Sequence, residues 1–430
     1  MRGGGSRGGM LKAIPERARL SCAEKKGCEG VASNAGKITA REWAAIISVA
    51  AAAFIFNTSE FMPIGLLTDI AADFNMTESV AGMLISVYAW AVMILSLPLM
   101  LCVTKVPPRR LLLGVIVLFG ICQLLSAASV NFWMLMAARI GVAAAHAVFW
   151  SIITPLAVRV APSSKASLAL SMVGMGTSVA MIFGLPCGRM LGLAIGWRAT
   201  FLTVGIVSFA IVACLAFVFP KLDAGKPFTL GKLPSLLRTR SLLSMYLVTI
   251  VVITAYFTGY GYIEPFFQQV AGLSDDAITF ALVLFGAAGL VGSLLFARLG
   301  HVTLATFIRF ACAGIAAALL LMAPAATGGE VASCLVCVLW GLAASLFNVS
   351  FNAAVIKCAP EGASSVAMSI YSGLYNLGIG TGTWLGGMVT ANAGVGLIGY
   401  VGGVLALAGL AYCCLRFVGL LRQVRHPSIG

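Results

Sequence analysis

Long apolar runs, each broken by a short polar stretch, recur from residue 43 to residue 418. Twelve of them approach or exceed the length a helix needs to cross a bilayer, about 20 residues. They are 43–68, 79–103, 110–129, 132–158, 166–190, 199–219, 242–268, 276–297, 303–324, 331–357, 363–389 and 395–418. Most connections are only a handful of residues long. The exception is 220–241, a polar segment containing Pro220, Pro227 and Pro234. It divides the chain into two halves of six spans, 43–219 and 242–418. Residues 1–42 form a Gly-rich, basic arm with no apolar core, expected to be disordered and unlike a secretory signal. Met10 offers a second initiator within it. Residues 419–430 form a short tail.

Composition narrows the class. Hydrophobic residues make up 60% of the 430 positions and charged residues 10%, with a mean hydropathy of +1.02. A soluble domain runs about 45–50% apolar and about 25% charged. A soluble enzyme, a disordered chain and a disulfide scaffold are therefore excluded, and a polytopic membrane protein fits. The 48 glycines suit helices that approach closely in lipid.

A net charge of +14 raises the question of nucleic acid, but the placement of the basic residues answers it. With the N-terminus inside, 25 of the 28 Lys and Arg fall in segments on that side. The opposite loops carry Asp69, Asp73, Glu78, Asp275, Asp276 and Glu330, with Arg189 and Arg198 nearby. The positive-inside rule then places both termini and the central segment in the cytoplasm. No nucleic-acid partner is expected. The twelve cysteines lie mostly inside apolar runs, where each reads as a small hydrophobe. Cys334 and Cys337 form a C-x-x-C pair without His or acidic neighbours, so neither a metal nor a cofactor is expected.

The halves are related by an internal repeat. APSSKASLALS at 161–171 matches APEGASSVAMS at 359–369 with an offset of 198. The same offset aligns Ala180, Gly184 and Gly188 with Gly378, Gly382 and Gly386, so the fifth span corresponds to the eleventh. The first and seventh spans share a Glu shortly before a Pro, Glu60 with Pro63 and Glu264 with Pro265. Paired membrane halves with a site between them mark a transporter.

Several residues then stand out. Glu60 lies inside the first span, where a charge costs about 2.5–3.5 kcal/mol on insertion scales. It reads as a proton carrier, or as a structural carboxyl that is simply hydrogen-bonded. Arg139, His146 and Trp150 are spaced seven and four residues apart, so they share one face of the fourth span. Arg139 at the depth of Glu60 is placed to pair with it, and His146 to bind substrate or relay protons. That face is expected to point into a central cavity rather than into lipid. Glu264 and the polar and aromatic residues Asn57, Trp90, Trp150, Tyr260, Asn348, Asn352 and Asn376 are the candidates for touching substrate. Gly176, Gly184 and Gly188, with Pro186 interrupting their helix, form a small-residue stripe. Gly378, Gly382 and Gly386 repeat it. The expected role is close helix packing that slides or seals as the molecule changes shape.

These segments resemble a known family. AAFIFNTSEFMPIGLLTDIA at 52–71, SVYAWAVMILSLPLML at 86–101, RIGVAAAHAVFWSI at 139–152, GLPCGRMLG at 184–192, GWRATF at 196–201, YGYIEPF at 260–266 and MSIYSGLYNLGIGTG at 368–382 are similar to the major facilitator superfamily. Within it they resemble the drug:proton antiporter branch, and most of all bacterial exporters of arabinose and related sugars. GLPCGRMLG resembles the branch's fifth-span antiporter motif. Arg139 matches the fourth-span arginine that the family links to proton coupling. The loop LCVTKVPPRR keeps Lys105, Arg109 and Arg110 but departs from the pattern G-x-x-x-D-R-x-G-R-K, and ARLGHV in the second half is equally degenerate.

The resemblance implies an all-α membrane protein of 12 transmembrane helices in two pseudo-symmetric six-helix bundles. It implies a multi-pass, monomeric exporter in the bacterial inner membrane, moving a small sugar outward as protons flow inward. Glu60, Arg139 and His146 would serve proton coupling. Drug or purine nucleoside efflux on the same scaffold is the alternative, with a non-transporting membrane sensor as a third reading.

Overall fold

The computed structural model describes residues 39–103, 106–160, 166–220, 238–299, 302–360 and 364–423. The expectations for most of the N-terminal arm, for the middle of the central segment and for the end of the tail lie outside these residues. So do Lys105, Lys165 and the loop at 300–301.

All regular structure among the described residues is helical, in twelve passes. Span 1 is Ala40–Phe61, a 3-10 turn Met62–Leu66 and Leu67–Asp73. Span 2 is Glu78–Ala81 with Met83–Val103, span 3 Pro108–Ala127, span 4 Phe132–Val160, span 5 Ala166–Ile195 and span 6 Trp197–Val218. Span 7 is Arg240–Tyr260 with Ile263–Gln269, span 8 Asp275–Arg298, span 9 Leu304–Thr327, span 10 Gly329–Cys358 and span 11 Ser364–Ala393. Span 12 runs from Val395 through Ile398–Tyr412 and a π-helical turn Cys413–Phe417 to Val418–Gln423. Ten of these passes are long and apolar enough by themselves to cross a membrane.

Local chemistry sets the helix ends. Thr39 and Glu42 form a capping box at the start of span 1. Thr77, Ser274 and Thr303 each accept the backbone N–H three residues on, satisfying a donor that the helix leaves free. Arg41 donates to the carbonyls of Phe217 and Val218, and Arg109 to that of Ala216. Two cations thus cover the C-terminal end of span 6, where helix carbonyls point outward unpaired.

Proline acts differently at different sites. Near Pro63 span 1 tightens into the 3-10 turn, and just before Pro265 span 7 breaks at Gly261–Tyr262. Pro186 behaves otherwise. It was expected to interrupt span 5, yet the helix continues from Ala166 to Ile195, five residues past the expected end at 190. Close neighbours within a membrane bundle re-satisfy what proline frees.

Within the first half, span 1 packs on spans 5 and 6, span 3 on spans 4 and 6, and span 2 on span 4. Adding six to every number gives the packing of the second half: 7 on 11 and 12, 9 on 10 and 12, and 8 on 10. Two seams join the halves, span 2 against span 11 and span 5 against span 8, and the same rule exchanges them. Each half has its own core. The core of the second half also takes in Ile64, Leu67, Ala71, Ala81, Ile85, Ala89 and Leu185 from the first. These residues lie toward the end of the molecule away from the termini, here called the far end. The two halves are therefore welded there. Large apolar side chains such as Val130, Phe217 and Leu415 stand about four-fifths exposed on the outside, as lipid contact requires.

The glycine stripes pack inside the halves rather than between them. A side chain at Gly176 would strike the carbonyl of Ala50, one at Gly184 would press on Thr58, and one at Gly188 on Met62. Gly378, Gly382 and Gly386 meet Ile253, Thr254 and Thr258 in the same way. The stripes therefore set spans 1 and 7 tightly against spans 5 and 11. The seam between halves uses other glycines: Gly380 lies under Trp90 and the Ser86 carbonyl, and Gly387 under the Tyr262 hydroxyl and Ser79.

This distinction is testable. Leu at Gly184 or Gly382 has no route of relief inside a half, and overpacking costs about 1–3 kcal/mol or more. Both variants should melt earlier than the parent in a thermal unfolding assay of the purified protein. Leu at Gly380 is relieved by parting the halves, so it should melt closer to the parent while changing the distance between them. Equal melting losses in all three would contradict the assignment.

Candidate functional site

Span 1 carries four consecutive polar residues immediately before its 3-10 turn: Asn57, Thr58, Ser59 and Glu60. All are buried, at 5, 8, 0 and 8% exposure. Successive helical residues point about 100° apart, so the four face different neighbours. Thr58 faces Gly184 of span 5. Ser59 accepts hydrogen bonds from Arg139 Nη1 at 3.2 Å and from Gln123 Nε2. Glu60 turns to His146 of span 4, with Oε2 3.6 Å from Nε2.

The second nitrogen of His146 completes a chain. Nδ1 lies 2.8 Å from the Tyr88 hydroxyl of span 2. A neutral imidazole donates from one nitrogen and accepts at the other. With Glu60 ionised, Nε2–H points to the carboxylate and Tyr88 donates to Nδ1. With Glu60 protonated, the carboxyl donates to Nε2 and Nδ1–H points to the phenol oxygen. The same three groups thus serve both protonation states, once the 3.6 Å gap closes to hydrogen-bond length. Trp150 stands over His146, with ring centroids 5.9 Å apart, and Phe56 closes the other side at 6.2 Å.

Arg139 is fully buried, yet among the described residues it forms no ion pair within 4.0 Å. The expected pairing with Glu60 is replaced by the bond to Ser59, one residue earlier. Its guanidinium carbon sits 4.4 Å from the centre of the Tyr88 ring, and Phe201 lies on the cation at 5.9 Å. The aromatic faces partly offset the charge. Among the described residues its Nε and Nη2 have no hydrogen-bond partner, and neither does Oε1 of Gln123. Arg139 and His146 both point into protein, away from lipid, at 0 and 3% exposure.

The other expected residues lie apart from this cluster. Tyr260 belongs to an aromatic group of the second half, with Tyr256 at 5.0 Å, Phe285 at 5.2 Å and Trp340 at 5.8 Å. Asn352 donates to the carbonyl and side chain of Asn348, one turn earlier on span 10. Asn376 donates to the Ser372 carbonyl at 3.0 Å, and its Oδ1 is buried without a partner. Trp90 sits in the seam, donating from Nε1 to Thr381 at 3.4 Å. Glu264 is held at the far end by Arg189 and Thr68, so its environment is an ion pair between halves rather than the Glu60 cluster.

Sequence reasoning passed over Ser59, Gln123 and Thr68, and gave Arg189 and Asp275 no role. Gln123 did carry a signal: it is an isolated amide in the apolar run VIVLFGICQLLSA. A polar group held in such a place normally has a partner inside the protein.

Comparison with known proteins agrees with this architecture. The sequence profile of the Major Facilitator Superfamily matches residues 49–373. A bacterial homologue of the human lysosomal transporter Spinster, solved in an inward-facing, unoccupied conformation, superposes with a TM-score of 0.68 at 14% identity. That match covers 90% of this chain and 95% of the other. A D-xylose–proton symporter gives 0.70 at 16% identity, covering 89% and 98%. The human organic anion transporter MFSD10 gives 0.64 at 13%, covering 88% and 100%. At these identities the likeness is one of fold, and the profile match, which spans most of the chain, supplies the family. The twelve-helix chain with its two repeated halves belongs to the Major Facilitator Superfamily of membrane transporters.

Proposed function

We propose that this chain is a secondary active transporter that exports a small sugar, arabinose-like or related, in exchange for protons. The halves 43–219 and 242–418 would rock about a central site in a bacterial inner membrane, with both termini and the central segment cytoplasmic. The protein would act as a monomer. The observation that carries the reading is the chain Glu60–His146–Tyr88. It sets a titratable carboxyl and an imidazole 3.6 Å apart inside an apolar bundle, with the Tyr88 hydroxyl on the second ring nitrogen. An intramembrane carboxyl is costly unless it is used or paired. Here its nearest ionisable partner is a histidine, which itself can lose or gain a proton.

The sugar rests on the resemblance of the span segments to sugar exporters, and a sugar–proton symporter of the same fold stands among the structural neighbours. The aromatic residues Trp150 and Tyr260 with the amides Asn348, Asn352 and Asn376 suit a sugar's apolar faces and hydroxyls. The same aromatic surfaces also favour a second reading, efflux of drugs or purine nucleosides. Export of a labelled panel of sugars, drugs and nucleosides, from cells with and without the protein, separates the two. Export of drugs alone would replace the sugar, and export of none would remove the reading.

Two outcomes follow from the geometry. Glu60→Gln keeps the shape of the side chain but cannot titrate. Export driven by a pH gradient should be abolished while expression and thermal stability stay near the parent. Gradient-driven export at the parental rate would take Glu60 out of the mechanism. Trp150→Ala removes the ring over His146 from a half-buried position, so it should raise the substrate Kd several-fold, about 1–2 kcal/mol, with a smaller loss of stability. A melting loss with unchanged Kd would make Trp150 a packing residue only.

A further inference from the structure

The two seams between the halves are built from unlike materials. Span 2 meets span 11 through small residues and neutral hydrogen bonds, among them Ser79 Oγ to the Gly387 carbonyl at 2.8 Å. Span 5 meets span 8 through Arg189. Its Nη1 donates to Glu264 Oε1 at 2.8 Å and its Nη2 to Asp275 Oδ1 at 2.6 Å, both in the other half. The second oxygen of Glu264 accepts from Thr68 Oγ1 at 2.7 Å. Glu264 is thus gripped at both oxygens by the first half, once from span 5 and once from the end of span 1. Arg189 also donates to the carbonyl of Gly65, within the 3-10 turn, at 3.3 Å.

Burial turns this contact into a device. Arg189 and Glu264 are each 2% exposed, while the Asp275 side chain is 52% exposed. A buried ion pair repays its desolvation only while the partners stay matched, and removing one partner strands the other. A pair inside one half would keep its match however the halves move. This one spans the two halves, so its attraction is realised only when the far end is closed. An interaction made in one state and not in the other shifts the balance between them.

We propose that Arg189, Glu264 and Thr68 form a latch that holds the far end of the two halves shut, and that opening to that side requires its rupture. The role of the latch rests on the alternating-access reading above, but its test needs no substrate. Spin labels carried by a keto-bearing non-canonical residue at Val130 and Val331, exposed by 80% and 73% near the far end, report the separation of the halves in the full chain in lipid nanodiscs. The native cysteines are left untouched.

The parent should give one short, narrow distance population. Arg189→Gln and Glu264→Gln should each raise the ratio of open to closed molecules by about tenfold or more. The double variant should go no further than the larger single, because both remove the same pair. Unchanged distances in both single variants, or effects that simply add, would overturn the latch. Should a charge variant fail to fold, Thr68→Val and Asp275→Asn carry the test with smaller shifts in the same direction, and unchanged distances in both overturn it equally. If the distances shift but no sugar is exported, the latch stands and the substrate reading falls. If sugar is exported and the distances do not move, the reverse holds.

Discussion

Hydrocarbon offers no hydrogen bond to a stranded polar group, so every polar side chain inside the spans must be answered within the protein. In this molecule the demand is concentrated in span 1. Ser59 and Glu60 each turn a polar group to a different neighbour while Thr58 packs on a third, its hydroxyl without a hydrogen-bond partner among the described residues. The three together fix both the rotation of the span and its depth. Ser59 gathers Gln123 of span 3 and Arg139 of span 4. Glu60 reaches His146, two turns further along span 4 from Arg139. Thr58 lies against Gly184, and only a glycine allows span 5 so near. Spans 3, 4 and 5 are thereby tied to one three-residue stretch of span 1, and Tyr88 of span 2 joins them through His146.

The second half answers the first with different chemistry. Glu264, its carboxyl nearest a proline as Glu60 is in span 1, faces the other half at the far end rather than its own bundle. The packing of the glycine stripes places Tyr256 where the first half has Glu60. The second half contributes aromatic and amide groups: Tyr375 beside Asn376 on span 11, and the packed rings of Tyr256, Tyr260 and Trp340. Charge that can be gained or lost sits on one side, and a neutral, polarisable wall sits on the other. The repeat thus lets two copies of one bundle carry different chemistry.

The twelve helices were legible because each apolar run is long and its polar breaks are short. The shared face of Arg139, His146 and Trp150 was legible because helical spacing alone places it. Partners across helices were not. The choice between Glu60 and Ser59 as the neighbour of Arg139 turns on a rotation of one residue, about 100°, which no periodicity fixes. Gly380 and Gly382 differ by two positions in a single helix, yet one lies in the seam and the other inside the bundle, so the repeat of small residues picked out only the latter. Pro186 was read from its local cost. The tertiary packing that absorbs this cost is invisible in sequence.

Under the 198-residue offset of the repeat, Arg189 is equivalent to Gly387. One copy of the seam is therefore held by charge and the other by close packing and neutral hydrogen bonds, and these forces fade differently with separation. Dispersion between touching atoms loses about a quarter to a half of its strength once a gap of about 0.5–1 Å opens. Coulomb attraction falls only with the inverse of distance, until water or salt screens it. A small tilt thus frees spans 2 and 11 while spans 5 and 8 still pull on each other. Contact along one edge is therefore lost over a shorter separation than attraction along the other, and the charged edge is the last to let go.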